Sequence, residues 1–382
     1  MNDVVFYVNG PARLLMSCVI AEERFPGARV HLVLLDQFGY DYERLLPHVR
    51  GNFASVRRLR VRARSYSHLD QALNAYLNRY PELRGLFDTA GTLVLFGLRS
   101  PVQKYLIRQA KRRGMTVEIF AESIATDRYF VPGPPDGPLK GPLRHTLARA
   151  FAYQHDYDRF HMLNPDIYAD SPHRPKLVQM FDLYGSDSFR RHAGLMTRDL
   201  ALDDLTGYDT VFLGQPLSDF DDFVEPEEEE QMLREILGDR RVLVLPHPNE
   251  RLEDGRGKYR VLPNARVCRP GIPSELLLLA IRPERTITYS STAGVNYAMM
   301  NRASENSFYP IFRARLDMLL RYRQSLPNLT VSARYATQED PGALMARRRS
   351  PFRFRFRFGF RMGMPYCPPC WPVSWVLALC SA

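Results

Sequence analysis

The sequence predicts an α/β protein built in two halves that face each other across a cleft. Three observations carry this reading. Short apolar runs alternate with helix-like segments in the first half, and the rhythm restarts after a polar, irregular stretch at 165–207. The runs are closed by Gly, Pro or polar residues and lack a polar face, as in strands of a mostly parallel sheet covered on both sides. Polar motifs stand at the ends of these runs in a particular order: Phe120-Ala121-Glu122-Ser123, Leu213-Gly214-Gln215-Pro216, Leu245-Pro246-His247-Pro248 and Tyr289-Ser290-Ser291-Thr292.

Taken in order, Val4–Val8 is a strand closed by Asn9-Gly10-Pro11, and Ala12–Glu23 has helical spacing of Leu14, Leu15, Cys18 and Val19. Val30–Leu35 is a second strand. Leu69–Leu77 places Leu69, Leu73, Tyr76 and Leu77 on one helical face. Thr92–Phe96 precedes a basic helix from Pro101 to Arg113, with proline at the start where its missing N–H costs nothing. Thr116–Phe120 is the next strand. Residues 131–145 hold five Pro and three Gly and read as a surface loop or lid. In the second half the strands are Thr210–Leu213, Val242–Leu245 and Thr286–Tyr289. The helices are Glu227–Leu237, Ser274–Ala280, Ala293–Met300 and Ile311–Tyr322, and the acidic run Glu227–Glu230 reads as a solvated helix start. This divides the chain into 1–195, 196–335 and an atypical tail at 345–382.

Composition narrows the function. At 382 residues with 45% hydrophobic content, the chain fills two cores. The net charge of +10 suggests nucleic acid until it is located: residues 341–382 hold seven Arg and no acid, leaving a surplus of three elsewhere. That surplus suits an anionic substrate and does not call for a nucleic-acid partner. Only Cys18 and Cys268 lie outside the tail, which fits a reducing compartment. Met1-Asn2-Asp3-Val4-Val5 lacks a basic signal-peptide start, and no apolar run reaches the roughly 18–20 residues of a bilayer span. A cytoplasmic protein is expected. In the tail, Arg353 to Phe358 alternates Arg with Phe, and Cys367-Pro-Pro-Cys370 has no partner pair for zinc. The expected reading is a frameshifted or disordered end. The alternative is peripheral association with the inner face of the cell membrane, since Arg and aromatics favour that interface.

The motif residues suggest specific chemistry. Ser290, Ser291 and Thr292 lie between a strand and a helix start, where unpaired N–H groups and the helix dipole attract a phosphate; the same residues also serve as ordinary N-caps. His247, held between Pro246 and Pro248 at a strand end, can donate to that phosphate or stay a turn residue. Glu275 follows Pro273 at a helix start and can accept from both hydroxyls of a ribose. Glu122 ends a strand of the other half and can act as a general base, with Asp127 as a rival.

Together these motifs resemble the bacterial sialyltransferases of the capsule and lipooligosaccharide type, including the polysialyltransferases. The resemblance rests on Ala121-Glu122-Ser123, His247-Pro248, Ser290-Ser291-Thr292 and Glu275. The phrases Val211-Phe212-Leu213-Gly214-Gln215-Pro216 and Ile272-Pro273-Ser274-Glu275-Leu276-Leu277 add to it, so that it covers about 3–330. It implies a GT-B architecture of two Rossmann-like domains, with CMP-sialic acid as donor and no metal or other cofactor. Donor contacts would come from Gly214, Gln215, His247, Pro248, Glu275, Ser290, Ser291 and Thr292. His247 would stabilise the departing CMP, and Glu122 would deprotonate a hydroxyl of a glycan or lipid-linked glycan acceptor. The acidic motif departs from the family pattern, because Ala121 and Ser123 stand where an acid and a glycine are usual. Another nucleotide sugar such as CMP-Kdo, or a degenerate nucleotide-binding protein, are the alternatives.

Overall fold

The computed structural model describes residues 3–36, 42–60, 83, 85–98, 101–121, 156–180, 182–198, 202, 204–218, 224–247, 250–269 and 272–336. All of these belong to one compact unit, Met1–Leu344. The expectations for Leu69–Leu77, residues 131–145, Glu122, Ser123, Asp127, Pro248 and the tail from 345 lie outside the described residues.

The first half forms a seven-stranded parallel sheet. Its strands are β1 (Asp3–Val8), β2 (Arg29–Asp36), β3 (Ser55–Arg60), β4 (Ala90–Leu95), β5 (Thr116–Phe120), β6 (Arg159–Met162) and β7 (Leu177–Gln179), in the order β3-β2-β1-β4-β5-β6-β7. The second half forms a six-stranded parallel sheet. There β8 (Thr210–Leu213), β9 (Val242–Leu245), β10 (Ala265–Val267), β11 (Arg285–Thr288), β12 (Glu305–Phe308) and β13 (Leu329–Val331) run in the order β10-β9-β8-β11-β12-β13. Strand order reverses at β1 in one sheet and at β8 in the other. Crossovers leave such a strand in opposite directions, opening a crevice at the carboxyl ends where α/β proteins hold ligands.

The strands form where apolar residues are continuous. Every residue of β1 and of β9 is buried, as central parallel strands require. Helices begin where the sequence marks them. In the first half these are α1 (Pro11–Arg24), α2 (Tyr42–Val49), α3 (Leu86–Thr89), α4 (Pro101–Arg112) and α5 (Asp187–Thr197). The second half adds α6 (Pro226–Leu237), α7 (Ser274–Ile281), α8 (Thr292–Met300) and α9 (Arg313–Arg323). Proline occupies the first turn of α1 and α6, and Ser291 caps α8 by accepting from Ala293 N–H.

Two expectations need correction. The stretch 165–207 is not an irregular connection throughout, since it contains β7 and α5. Ser186 caps α5, accepting from Phe189 N–H at 3.1 Å, and Phe189, His192, Ala193 and Met196 form its buried face. Arg190 and Arg191 between them break up the apolar signal. The acidic run at the start of α6 is not wholly solvated either. Glu227 and Glu228 are exposed, but Glu229 is fully buried.

The largest apolar cluster belongs to both halves, joining Leu15 and Phe189 to Leu276, Met299 and Tyr322. Helix α5 mediates this, packing against α1 on one side and α7 on the other.

Candidate functional site

Three neighbouring strand ends bring the second-half motifs side by side. β8 lies between β9 and β11, so the residues following Leu213, Leu245 and Thr288 emerge together at the crevice. Gly214 comes first and donates its N–H to Leu245 O at 2.9 Å. A Cβ at this position would collide with Tyr259 Oη and Glu250 Oε1, so only glycine lets the polar layer beneath reach the backbone.

Gln215 links the loops. Its Oε1 accepts from Ser290 N–H at 2.9 Å and from Ser290 Oγ at 3.1 Å, and its carbonyl accepts from Lys258 Nζ at 2.7 Å. Thr288 Oγ1 donates to Leu213 O at 3.0 Å and accepts from Ser291 N–H at 3.1 Å. Ser291 Oγ accepts from Ala293 N–H at 3.3 Å. The serine pair thus does two jobs: Ser291 caps α8, and Ser290 presents its N–H and hydroxyl to an amide oxygen that an anion could replace. Thr292 is the first residue of α8.

His247 follows β9 and is half-buried. Its carbonyl accepts from Glu250 N–H at 2.9 Å and Arg269 Nη2 at 3.2 Å, which fixes the loop. Burial, followed by the positive charges of Lys258 and Arg269, holds the imidazole below its ordinary pKa. At neutral pH the ring is therefore uncharged, with one nitrogen a donor and the other an acceptor.

Under this surface lies a layer of buried charge that the sequence did not reveal. Glu229 and Glu250 are 0% and 4% exposed. Lys258 bonds Glu229 and lies 3.5 Å from Glu250 Oε1. Ser218 donates its N–H and hydroxyl to Glu229 Oε2 at 3.0 and 2.5 Å, and Tyr259 Oη donates to Glu250 Oε2 at 2.7 Å. Burial and the neighbouring carboxylates push the Tyr259 phenol far up, so it stays protonated and donating. The available signal was faint: Glu229 sits three residues after the helix-starting Pro226, on the face shared by Met232 and Leu233.

Glu275 sits in the first turn of α7 and accepts from Asn296 Nδ2 at 3.4 Å. Glu275, Thr292 and Asn296 form one wall of a cavity of about 110 Å³. The facing walls include Ala12, Leu15 and Met16 of α1 with Phe189 of α5, so the cavity lies between the two halves.

On the first-half side, Ala121 follows β5 and donates its N–H to His161 O at 2.8 Å. Glu122 lies just beyond, outside the described residues. Sequence reading missed a pair within the strands themselves: Glu118 and His161, on β5 and β6, are both buried and hydrogen-bonded at 2.8 Å. Phe120 stacks on the His161 ring with centroids 4.1 Å apart. Burial works to raise the Glu118 pKa, but the bond and charge from His161, with help from Arg159 and Arg24, outweigh it and hold the carboxyl below its ordinary value. A charged residue inside an apolar strand was the one cue. Among the described residues no group of His, Cys, Asp or Glu is arranged to hold a metal ion, and no helix is long and apolar enough to cross a membrane.

No protein-family model and no curated protein matches the sequence. Solved structures do resemble it. TcCGT1 in complex with UDP aligns with a TM-score of 0.56 at 9% identity, covering 87% of this chain and 86% of that one. Phytolacca americana UGT2, complexed with UDP-2fluoro-glucose and pterostilbene, gives 0.54 at 13% identity over 88% of each chain. S. aureus MnaA with UDP gives 0.54 at 8% identity, over 81% of this chain and 79% of that one. At such identities the likeness establishes the fold, which is GT-B: two Rossmann-like domains, each with its strand order reversing at the first strand.

Proposed function

We propose that this protein is an inverting, metal-independent glycosyltransferase that moves sialic acid from CMP-sialic acid to a hydroxyl of a glycan or lipid-linked glycan. The observation that carries the transferase reading is the convergence of Gln215, His247, Ser290 and the start of α8 at one switch point, beside Glu275 and across from α1. In this reading the donor phosphate takes the Ser290 N–H and hydroxyl from the Gln215 amide, and the dipole of α8 favours its charge. His247 donates to the same phosphate as the glycosidic bond breaks, so that CMP departs without a metal. Glu122 takes the proton of the acceptor hydroxyl from the opposite face, which inverts the anomeric carbon. The domain division at about 195 belongs to the same proposal, with the acceptor on the first-half side and the nucleotide on the second.

CMP as the nucleotide is what the resemblance to the sialyltransferases implies. A UDP-sugar is the second reading, because TcCGT1, UGT2 and MnaA were each solved with UDP or a UDP-sugar. Isothermal titration with CMP, UMP and UDP decides between them. CMP is expected to bind at least tenfold more tightly than UMP, a difference of about 1.4 kcal/mol. Tighter uridine binding would transfer the assignment to a UDP-sugar, and the absence of any nucleotide binding would overturn the transferase reading itself.

A further inference from the structure

We infer that Asn296 is a ligand-binding residue whose Oδ1 accepts a hydrogen bond from the 2′-hydroxyl of a ribose, beside Glu275 on the 3′-hydroxyl, and so selects ribonucleotides over deoxyribonucleotides. This rests on the nucleotide reading above and adds a residue and a selectivity to it. Asn296 is a poor helix former in the middle of α8, flanked by Val295 and Tyr297, and the residue is only 5% exposed. An ionised Glu275 carboxylate can only accept, so the Asn296 amide faces it with its nitrogen, as the 3.4 Å contact shows. That leaves Oδ1 turned away from Glu275, and this atom is buried with no hydrogen-bond partner. Buried amide oxygens are nearly always satisfied, so this orphan, in a residue that lines the cavity, marks the place of a missing donor.

The surroundings identify the donor. Asn296 and Glu275 share the polar wall of the cavity, whose facing wall from α1 is Ala12, Leu15 and Met16. Two adjacent acceptors opposite an apolar surface suit a ring with vicinal hydroxyls on one edge. Thr292 stands four residues before Asn296, on the same helix face and about 6 Å up the axis. That is roughly the offset between a nucleotide's 5′-phosphate and its ribose diol, so a phosphate at the start of α8 places its own ribose against Asn296. A free sugar would satisfy the same acceptors but would not be tied to the phosphate.

The test compares CMP with 2′-deoxy-CMP, and UMP with 2′-deoxy-UMP, by titration calorimetry on the full-length protein and on Asn296→Ala. The wild type is expected to prefer the ribonucleotide by about tenfold or more. The variant should lose most of that preference by binding the ribonucleotide more weakly, while its affinity for the deoxynucleotide stays within about threefold. Retained deoxynucleotide binding also reports that the variant is folded. Equal binding of both sugars by the wild type overturns the inference whatever the variant does. A preference that survives Asn296→Ala overturns it as well, since Oδ1 would then meet only water. Wild-type protein that binds no nucleotide fails at the earlier step and overturns the nucleotide reading with it.

Discussion

His247→Ala is expected to lower sugar transfer by at least about a hundredfold, the usual scale for a lost acid or charge-stabilising group. The loss should fall mainly on kcat, because charge grows on the departing phosphate only as the bond breaks. The fold should survive, since the residue occupies a half-buried loop after β9. The imidazole is held below its ordinary pKa by burial, Lys258 and Arg269. The negative charge of a bound phosphate offsets the two cations and raises that pKa, so binding takes up a proton. Wild-type affinity should therefore gain on the variant as pH falls from 8 towards 6, and the difference between the two proteins isolates the imidazole from the nucleotide's own titration. Turnover unchanged by the mutation would remove His247 from the mechanism. Glu122→Gln is the companion: it should abolish most turnover while sparing CMP affinity, with Asp127→Asn mild. The reverse pattern would assign the base to Asp127.

Lys258→Met should cost about 3–5 kcal/mol of stability, the range for leaving a buried charge without its partner. Two carboxylates, Glu229 and Glu250, lose their ammonium group at once, and neither has more than 4% exposure through which water could replace it. The same nitrogen holds the Gln215 carbonyl, so nucleotide affinity should fall together with stability. Urea denaturation read as a shift in midpoint measures the first effect and calorimetric titration the second. Adding Glu229→Gln to the variant should restore part of the stability by removing one of the stranded charges. A loss under about 1 kcal/mol would mean that water reaches this layer and that the ion pairs hold nothing in place.

The legible part of this molecule was its periodic part. β1, β2, β5, β8 and β9 are mostly apolar runs ended by a polar turn, a glycine or a proline, the usual look of a parallel strand buried on both faces. Short edge strands gave no such signal. β7 and β10 are three residues each, and their partly exposed side chains leave no alternation to find. β12 begins with Glu305-Asn306-Ser307, yet Asn306 is fully buried because Thr286 donates to its amide oxygen across the sheet. Polarity satisfied by a neighbour distant in sequence looks like a loop until the neighbour is known. The site shows the same divide. Gly214, Gln215, His247, Glu275 and the serines were visible because each stands at a strand end or a helix start. Lys258 and Asn296 were not, since their meaning comes from what packs beside them in space.

Helix α5 carries one further consequence. Residue 195, the expected end of the first domain, falls inside this helix, and α5 packs on α1 and α7 together. Neither half owns the interior that Leu15, Phe189, Leu276 and Met299 fill jointly. The two sheets therefore cannot be traded as independent modules between proteins of this architecture. A chimaera joined at 195 would inherit two incompatible surfaces, and a successful exchange would have to carry α1, α5 and α7 as a set.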